Sequence, residues 1–273
     1  MTTPVYGAHE AKACYVVEST YGDRTHAEHS NVDIQKQLRD CIKETVKAGG
    51  NIVVPSFALE RSQELLYHLN ELFLRDEIPP ITVFLDSPMA TRITEVFKRH
   101  AELFDYEMMQ RLHQGNSPFS FDNLKIVQTT EESKAINFIK GSVIIIAGSG
   151  MVTGGRIKHH MVNNITRPES TVLFTGYQAQ GTPGRRLLSG ERQVRLLGQT
   201  YPVRARVVKI DGFSAHADRE GLLAWLSDMH IPPRCVFVTH GEKTAATSFA
   251  KFLSAQTGWQ TQAPSYREAV TLT

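Results

Sequence analysis

Short runs of β-branched and aliphatic residues recur along the chain, separated by stretches in which apolar residues return every three or four positions. On this pattern residues 13–18, 51–55, 81–85, 124–128, 143–147 and 171–175 read as strands. Between the first two, Ile34, Leu38, Cys41, Ile42 and Val46 share one face of a predicted helix over 31–48, which stops at Gly49-Gly50. Leu59, Leu65, Leu66, Leu69, Leu72 and Phe73 mark a second helix. Helical patterning continues to about Leu112 and returns around 131–139 and 155–165. Strands that alternate with helices in this way predict a parallel sheet covered by helices on both faces.

After about residue 192 the texture changes. Val203, Ala205 and Val207 alternate with Arg204, Arg206 and Val208, as in a half-exposed strand. A helix over 219–229, a strand over 235–239, a helix over 243–257 and a final strand near 269–272 complete the pattern. No internal repeat or low-complexity linker interrupts it.

Composition narrows the class only a little. The 273 residues are 41% hydrophobic and 21% charged, ordinary for a globular protein. No stretch approaches the ~20 apolar residues of a membrane span, and the N-terminus lacks the pattern of a signal peptide. Cys14, Cys41 and Cys235 form no Cys-x-x-Cys pair, so a reducing, cytoplasmic setting is expected and a membrane is not. A net charge of +2 leaves any nucleic-acid binding to a local patch. Arg185, Arg186, Arg192, Arg195, Arg204 and Arg206 cluster between 185 and 206, although such a run taken alone is more often a solvated face between strands.

The candidate chemistry lies at strand ends. Glu18 closes the first strand ahead of Ser-Thr-Tyr-Gly-Asp-Arg. His216 sits in Phe-Ser-Ala-His-Ala-Asp before a helix, where Ser214 or Asp218 also suits a cap. His240 follows a buried strand and precedes Gly241-Glu242, a position at which α/β enzymes place ligands or catalytic groups. Ser149, Gly150 and Arg156 belong to a glycine loop between a strand and a helix, which reads as a phosphate-contact loop or as a tight turn. Ser56 and Arg61 mark a second strand-to-helix turn, and Tyr177 a third, where its ring suits stacking on a base or packing in a core.

Taken together these segments resemble the β-CASP group of metallo-β-lactamase-fold ribonucleases. Glu18 in Val-Glu-Ser-Thr-Tyr-Gly matches the motif A acid, His216 the motif B histidine, and His240 in Thr-His-Gly-Glu the motif C histidine. Residues 55–61, 85–89 and 147–156 are similar to the β-CASP insert. The resemblance implies an α/β fold with a β-CASP domain, a parallel sheet flanked by helices, over 28–204. That domain would be inserted in a partial metallo-β-lactamase αββα domain, present as 1–27 and 205–273. It implies RNA as substrate and two zinc ions in a complete enzyme, endonuclease or exonuclease. His240 would be a zinc ligand, His216 the proton donor and Glu18 its orienter. Ser56, Arg61, Ser149, Gly150, Arg156 and Tyr177 would hold the RNA.

The family's His-x-His-x-Asp-His motif does not occur in this sequence. The expectation is therefore a C-terminal portion that holds no tight zinc and cleaves no RNA alone. A homo-oligomer or a missing N-terminal half would complete it. An uncovered sheet face and an open edge would then favour aggregation. Two rival readings remain. One is a non-catalytic RNA-binding module or split subunit completed by a partner chain. The other is a nucleotide-dependent Rossmann-like enzyme, against which the third glycine, Gly154, falls one place late for Gly-x-Gly-x-x-Gly.

Overall fold

The computed structural model describes residues 13–26, 31–229 and 231–272. Its elements in chain order begin β1 (Cys14–Glu18), α1 (Asn31–Ala48), β2 (Ile52–Pro55), α2 (Arg61–Leu74), β3 (Thr82–Asp86), α3 (Pro88–Arg99) and α4 (Tyr106–His113). There follow β4 (Leu124–Ile126), α5 (Thr130–Ala135), β5 (Val143–Ala147), α6 (Ile157–Asn164), β6 (Thr171–Phe174) and α7 (Pro183–Leu188). The chain ends with β7 (Gln193–Leu196), β8 (Gln199–Pro202), β9 (Arg206–Lys209), α8 (Arg219–Ser227), β10 (Cys235–Thr239), α9 (Lys243–Thr257) and β11 (Thr261–Gln262).

Two compact units result, the larger ending at Ser214 and the smaller combining the segment before it with Ala215–Thr273. The expected first boundary, at 27/28, and residues 1–12 of the expected first segment lie outside the described residues. The second expected boundary, at 204/205, differs from the division at 214/215 for a physical reason. β9 hydrogen-bonds to β6 as the last strand of the larger unit's sheet, and Ile210 and Phe213 are buried in its core.

In the larger unit the six-stranded sheet runs β4-β3-β5-β2-β6-β9, parallel throughout. Ile52, Val54, Ile144 and Ile146 turn to one core with Leu38, Leu66 and Leu69. Val53, Val143 and Ile145 turn to the other with Ile157 and Met161. Side chains alternate between faces, so a strand covered on both must be apolar at every position, as β5 is. The hydrophobic pattern leaves 176–202 without elements. The structure forms α7 there, capped by Thr182 with Pro183 in its first turn, and the antiparallel hairpin β7–β8. Its turn residues Leu197 and Gly198 have φ of 47° and 85°, the left-handed pair that a tight hairpin needs.

The smaller unit holds a parallel sheet in the order β1-β10-β11. Val17, Val236 and Val238 pack on Leu222, Leu226, Phe249 and Leu253 of α8 and α9, while Val16, on the other face of β1, is 70% exposed. The predicted strand at 269–272 is corrected: those residues form none, and the third strand is β11, paired to β10. Ala-Val-Thr-Leu has strand composition, but β-propensity counts only where a neighbour packs on it, and Leu272 is 63% exposed. Among the described residues no helix is long and apolar enough to cross a membrane.

Acid will weaken the larger unit through one histidine. His68 is packed against the rings of Tyr67 and Phe213, and burial, with Arg61 and Arg75 adding to it, pushes its pKa from 6.5 down to about 4. Between those values the unfolded chain binds the proton and the folded one does not, so stability falls as pH falls through the window. We expect a loss of about 2–3 kcal/mol between pH 7 and about pH 4.5 from this group. Urea unfolding of His68→Gln should show a flatter pH dependence than the wild type, and an equally steep one would assign the effect elsewhere.

Candidate active site

Parallel pairing of β1 with β10 sets Glu18 opposite Thr239. Glu18 and His240, the residue after Thr239, therefore emerge at the same sheet edge. Two close contacts fix the join. Ser19 Oγ donates to the Thr239 carbonyl at 2.8 Å, and a Cβ on Gly241 would stand 2.4 Å from that Oγ and 2.5 Å from the Ser19 carbonyl oxygen. Only glycine fits there. His240 itself turns the chain with φ of 52°, a left-handed conformation that costs a non-glycine residue about 1 kcal/mol or more.

His216 arrives from the loop before α8. Asp218 caps that helix by accepting from the Gly221 amide at 2.8 Å, and it also accepts from the His26 amide at 2.8 Å. The Gly221 bond is the main cause that holds the Asp218 carboxyl below its usual range. So placed, His216 Nδ1 lies 3.2 Å from Glu18 Oε1, and its ring stacks on that of His240 at 5.7 Å between centroids. The donor atoms of Glu18, His216 and His240 lie within 4.8 Å of one another. Glu18 is half-buried and the two histidines are exposed.

Thr20 is a participant that sequence reasoning missed. Its amide donates to Glu18 Oε2 at 2.7 Å, so both carboxylate oxygens are engaged. Its hydroxyl donates to the His240 carbonyl at 3.2 Å and lies 3.3 Å from His240 Nδ1. With its proton on the carbonyl, the hydroxyl accepts from Nδ1–H and leaves Nε2 of His240 with its lone pair. Imidazole nitrogen and carboxylate are donor types that zinc takes, and here one imidazole nitrogen is open while Glu18 and His216 Nδ1 hold each other. The set suits a single ligand beside an acid–base pair, and does not by itself fit two ions.

Within the larger unit the carboxyl ends of β2, β3 and β5 border a cavity of ≈ 510 Å³, lined in part by Ser56, Phe57, Met89, Ser149, Gly150 and Arg156. Asp86 closes β3 at its floor and is fully buried. It accepts from Arg156 Nη1 at 2.6 Å, pairs with His160 Nε2 at 2.6 Å and accepts from Ser133 Oγ. Burial pushes its carboxyl up, but these bonds outweigh that and hold it below the usual carboxylate range. Arg61 and Tyr177 are not among the lining residues. Arg61 is 7% exposed and pairs with Glu64.

The glycine loop makes several of its hydrogen bonds internally. Ser149 Oγ accepts from the amides of Thr153 and Gly154 at 3.0 and 3.1 Å, and the Ile157 amide at the start of α6 donates to the Gly148 carbonyl at 3.1 Å. Those three amides are thereby taken up within the loop. Ser56 is likewise buried against Ser62, 2.9 Å between hydroxyl oxygens. Arg156, held on Asp86, is the charged group left at the cavity.

Two family models match the chain: a Beta-Casp domain over residues 62–187, and a Zn-dependent metallo-hydrolase RNA specificity domain over 200–264. The chain belongs to the β-CASP family of the metallo-β-lactamase fold. The β-CASP model falls wholly in the larger unit, and the second model covers both β10 and His216. Over 239 residues the chain is 38% identical to Ribonuclease TTHA0252 of Thermus thermophilus, 88% of this chain and 54% of that protein. Over 263 residues it is 31% identical to Transcription termination factor FttA of Methanosarcina mazei, 94% of this chain and 41% of that one. An RNase J-like protein of Methanocaldococcus jannaschii is 29% identical over 235 residues, 86% of this chain and 53% of its own length. The chain spans about half the length of the curated relatives it matches.

Gly241→Ala tests the join between strands. The added carbon must displace the Ser19 backbone, so we expect about 1–3 kcal/mol of destabilisation and loss of the His216–His240 ring contact. Unfolding curves, and histidine proton resonances that no longer report stacking, would register both. A wild-type melting curve would contradict the close approach.

Proposed function

We propose that this β-CASP chain contributes the acid–base pair and the RNA-holding cavity of a zinc-dependent RNA phosphodiester hydrolase. The observation that carries the reading is the 3.2 Å contact between Glu18 and His216 Nδ1, with a ring nitrogen of His240 inside the same 4.8 Å cluster. Zinc, when bound, polarises a phosphoryl oxygen and lowers the pKa of water. His240 Nε2 is the atom of this chain that would hold it.

The remaining work falls to protein groups. Glu18 accepts the Nδ1 proton of His216, which fixes the ring and directs Nε2 outward. From there His216 hands a proton to the leaving ribose oxygen, and its exposure leaves room for a substrate. Glu18 acts through His216 and is a positioning residue. Arg156 holds a phosphate of the RNA at the cavity, its guanidinium kept in place by Asp86. Ser149 and Ser56 shape that cavity, and Gly150 leaves room for the Phe57 ring that lines it. Arg61, buried and paired with Glu64, is taken out of the RNA path, and Tyr177, half-buried outside the cavity, stays in it as a stacking candidate.

A second reading has its own observation. A single open imidazole nitrogen is too few donors for a two-ion site, so these residues by themselves bind RNA without cutting it and need further ligands from elsewhere. Metal analysis of the 273-residue protein should give well under one tight equivalent of zinc. RNA binding should survive chelator and weaken with salt. Two equivalents of zinc, with cleavage lost in His240→Ala, would reject the second reading and leave the complete hydrolase.

Thr20→Val separates holding from donating. It keeps the side chain's shape and removes the oxygen that fixes His240, so whatever metal affinity the chain shows should fall about 10–100-fold. RNA affinity in chelator should not change. A variant with unaltered zinc titration would dismiss Thr20 as the group that sets His240.

A further inference from the structure

The arginines between 185 and 206 divide into two groups in the structure. Arg185 donates to the Gln178 carbonyl at 2.9 Å, Arg186 pairs with Glu191, and Arg206 pairs with Glu44. Arg192, Arg195 and Arg204 are exposed, and no ion pair among the described residues uses them. All three sit on or beside the β7–β8 hairpin. They form an electrostatic surface that neither the acid–base cluster nor the cavity accounts for.

The hairpin is a fixed platform. Val194 and Leu196 on its inner side are each 1% exposed and pack into the same core as Leu187 and Ile157. Its outer side alternates with them, and Arg195 stands directly opposite Thr200. At the other end the Val203 amide donates to the Arg192 carbonyl at 2.9 Å, so Arg204 follows immediately beside Arg192. Strand rise puts this pair about 10 Å from Arg195. The amides of Arg204 and Ala205 both donate to the Ile165 carbonyl, at 2.9 and 3.0 Å, and tie this end to the chain entering β6.

Position in the sheet gives the surface its meaning. β9 runs parallel to β6, so the junction at Arg204 lies at the amino edge of the sheet. The cavity with Arg156 lies at the carboxyl ends of β2, β3 and β5. The two basic features of the larger unit thus occupy opposite edges, and a short RNA held at one does not reach the other.

We infer that Arg192, Arg195 and Arg204 form a second contact surface for the phosphate backbone of RNA, one that grips a long substrate away from the cavity. The inference rests on the reading that this chain acts on RNA. Guanidinium forks match phosphate oxygens, and the neighbours Gln193, Gln199 and Thr200 are uncharged hydrogen-bonding side chains. An acidic protein partner is less well served, because a protein interface wants an apolar centre. Here the exposed apolar residue is Leu197, at the hairpin tip.

The test is RNA binding by the full chain in chelator, measured across a salt series. One probe is a single-stranded RNA of about 30 nucleotides and the other an oligonucleotide of about five. In the variant combining Arg192→Ala, Arg195→Ala and Arg204→Ala, affinity for the long RNA should fall roughly tenfold or more. The slope of log K against log salt should shrink by about 2, the share of three lost contacts to a single strand. The short oligonucleotide should bind as before, the melting curve should not move, and the corresponding Arg→Lys variant should keep the wild-type slope. Long-RNA affinity and slope unchanged by the alanines would overturn this inference alone. A wild-type chain that binds neither RNA at any salt would overturn the functional reading as well.

Discussion

The hydrogen-bonded ladder between β1 and β10 is the contact on which the catalytic proposal depends. It joins residues more than 200 positions apart, Glu18 to Thr239, and it must offset the entropy of closing that loop. For an unstructured segment of this length closure costs about 5 kcal/mol beyond a constant. The intervening residues fold as a unit with its own two cores, which removes much of that disorder. The remaining driving force comes from burying Val17, Val236 and Val238 under α8 and α9. A carboxylate and an imidazole then share a sheet edge because their strands share hydrogen bonds.

Much of this was legible in the sequence, and the reason is physical. Strands buried on both faces must be apolar throughout, so β2, β5 and β10 announce themselves, and a polar residue that ends such a run stands out. Glu18 and His240 are of this kind, and His216 became visible through its helix cap and its resemblance to a known motif. What escaped depends on partners that periodicity does not encode. Thr20 matters because of where its hydroxyl proton goes. Asp86 matters because Arg156, His160 and Ser133 converge on it from α5 and the segment around α6. The strand assigned to 269–272 failed for the complementary reason, since its composition suits a strand and no strand among the described residues pairs with it.

The glycine loop after β5 combines internal hydrogen bonds with a charged side chain. Its position at the carboxyl end of a central strand is where α/β folds bind ligands. Ser149 takes up two of the amides that such a loop often offers to an anion, those of Thr153 and Gly154. A side chain, Arg156, adds charge there, its orientation set by a buried carboxylate. Recognition through one oriented guanidinium is more exacting in geometry than an amide cradle and less tolerant of replacement by lysine.

The separate cores carry a consequence for how activity would be lost. The Glu18, His216 and His240 cluster depends on the core formed by Val17, Val236, Val238 and Phe249, whereas the Arg156 cavity depends on the cores around the six-stranded sheet. Two modules with separate cores need not share one unfolding temperature. On the proposed function, heat or denaturant acting first on the smaller unit would leave a molecule that still grips its polymer while its proton donor is gone. Such a species would sequester substrate from intact enzyme, so thermal inactivation would look like inhibition before it looked like loss of protein.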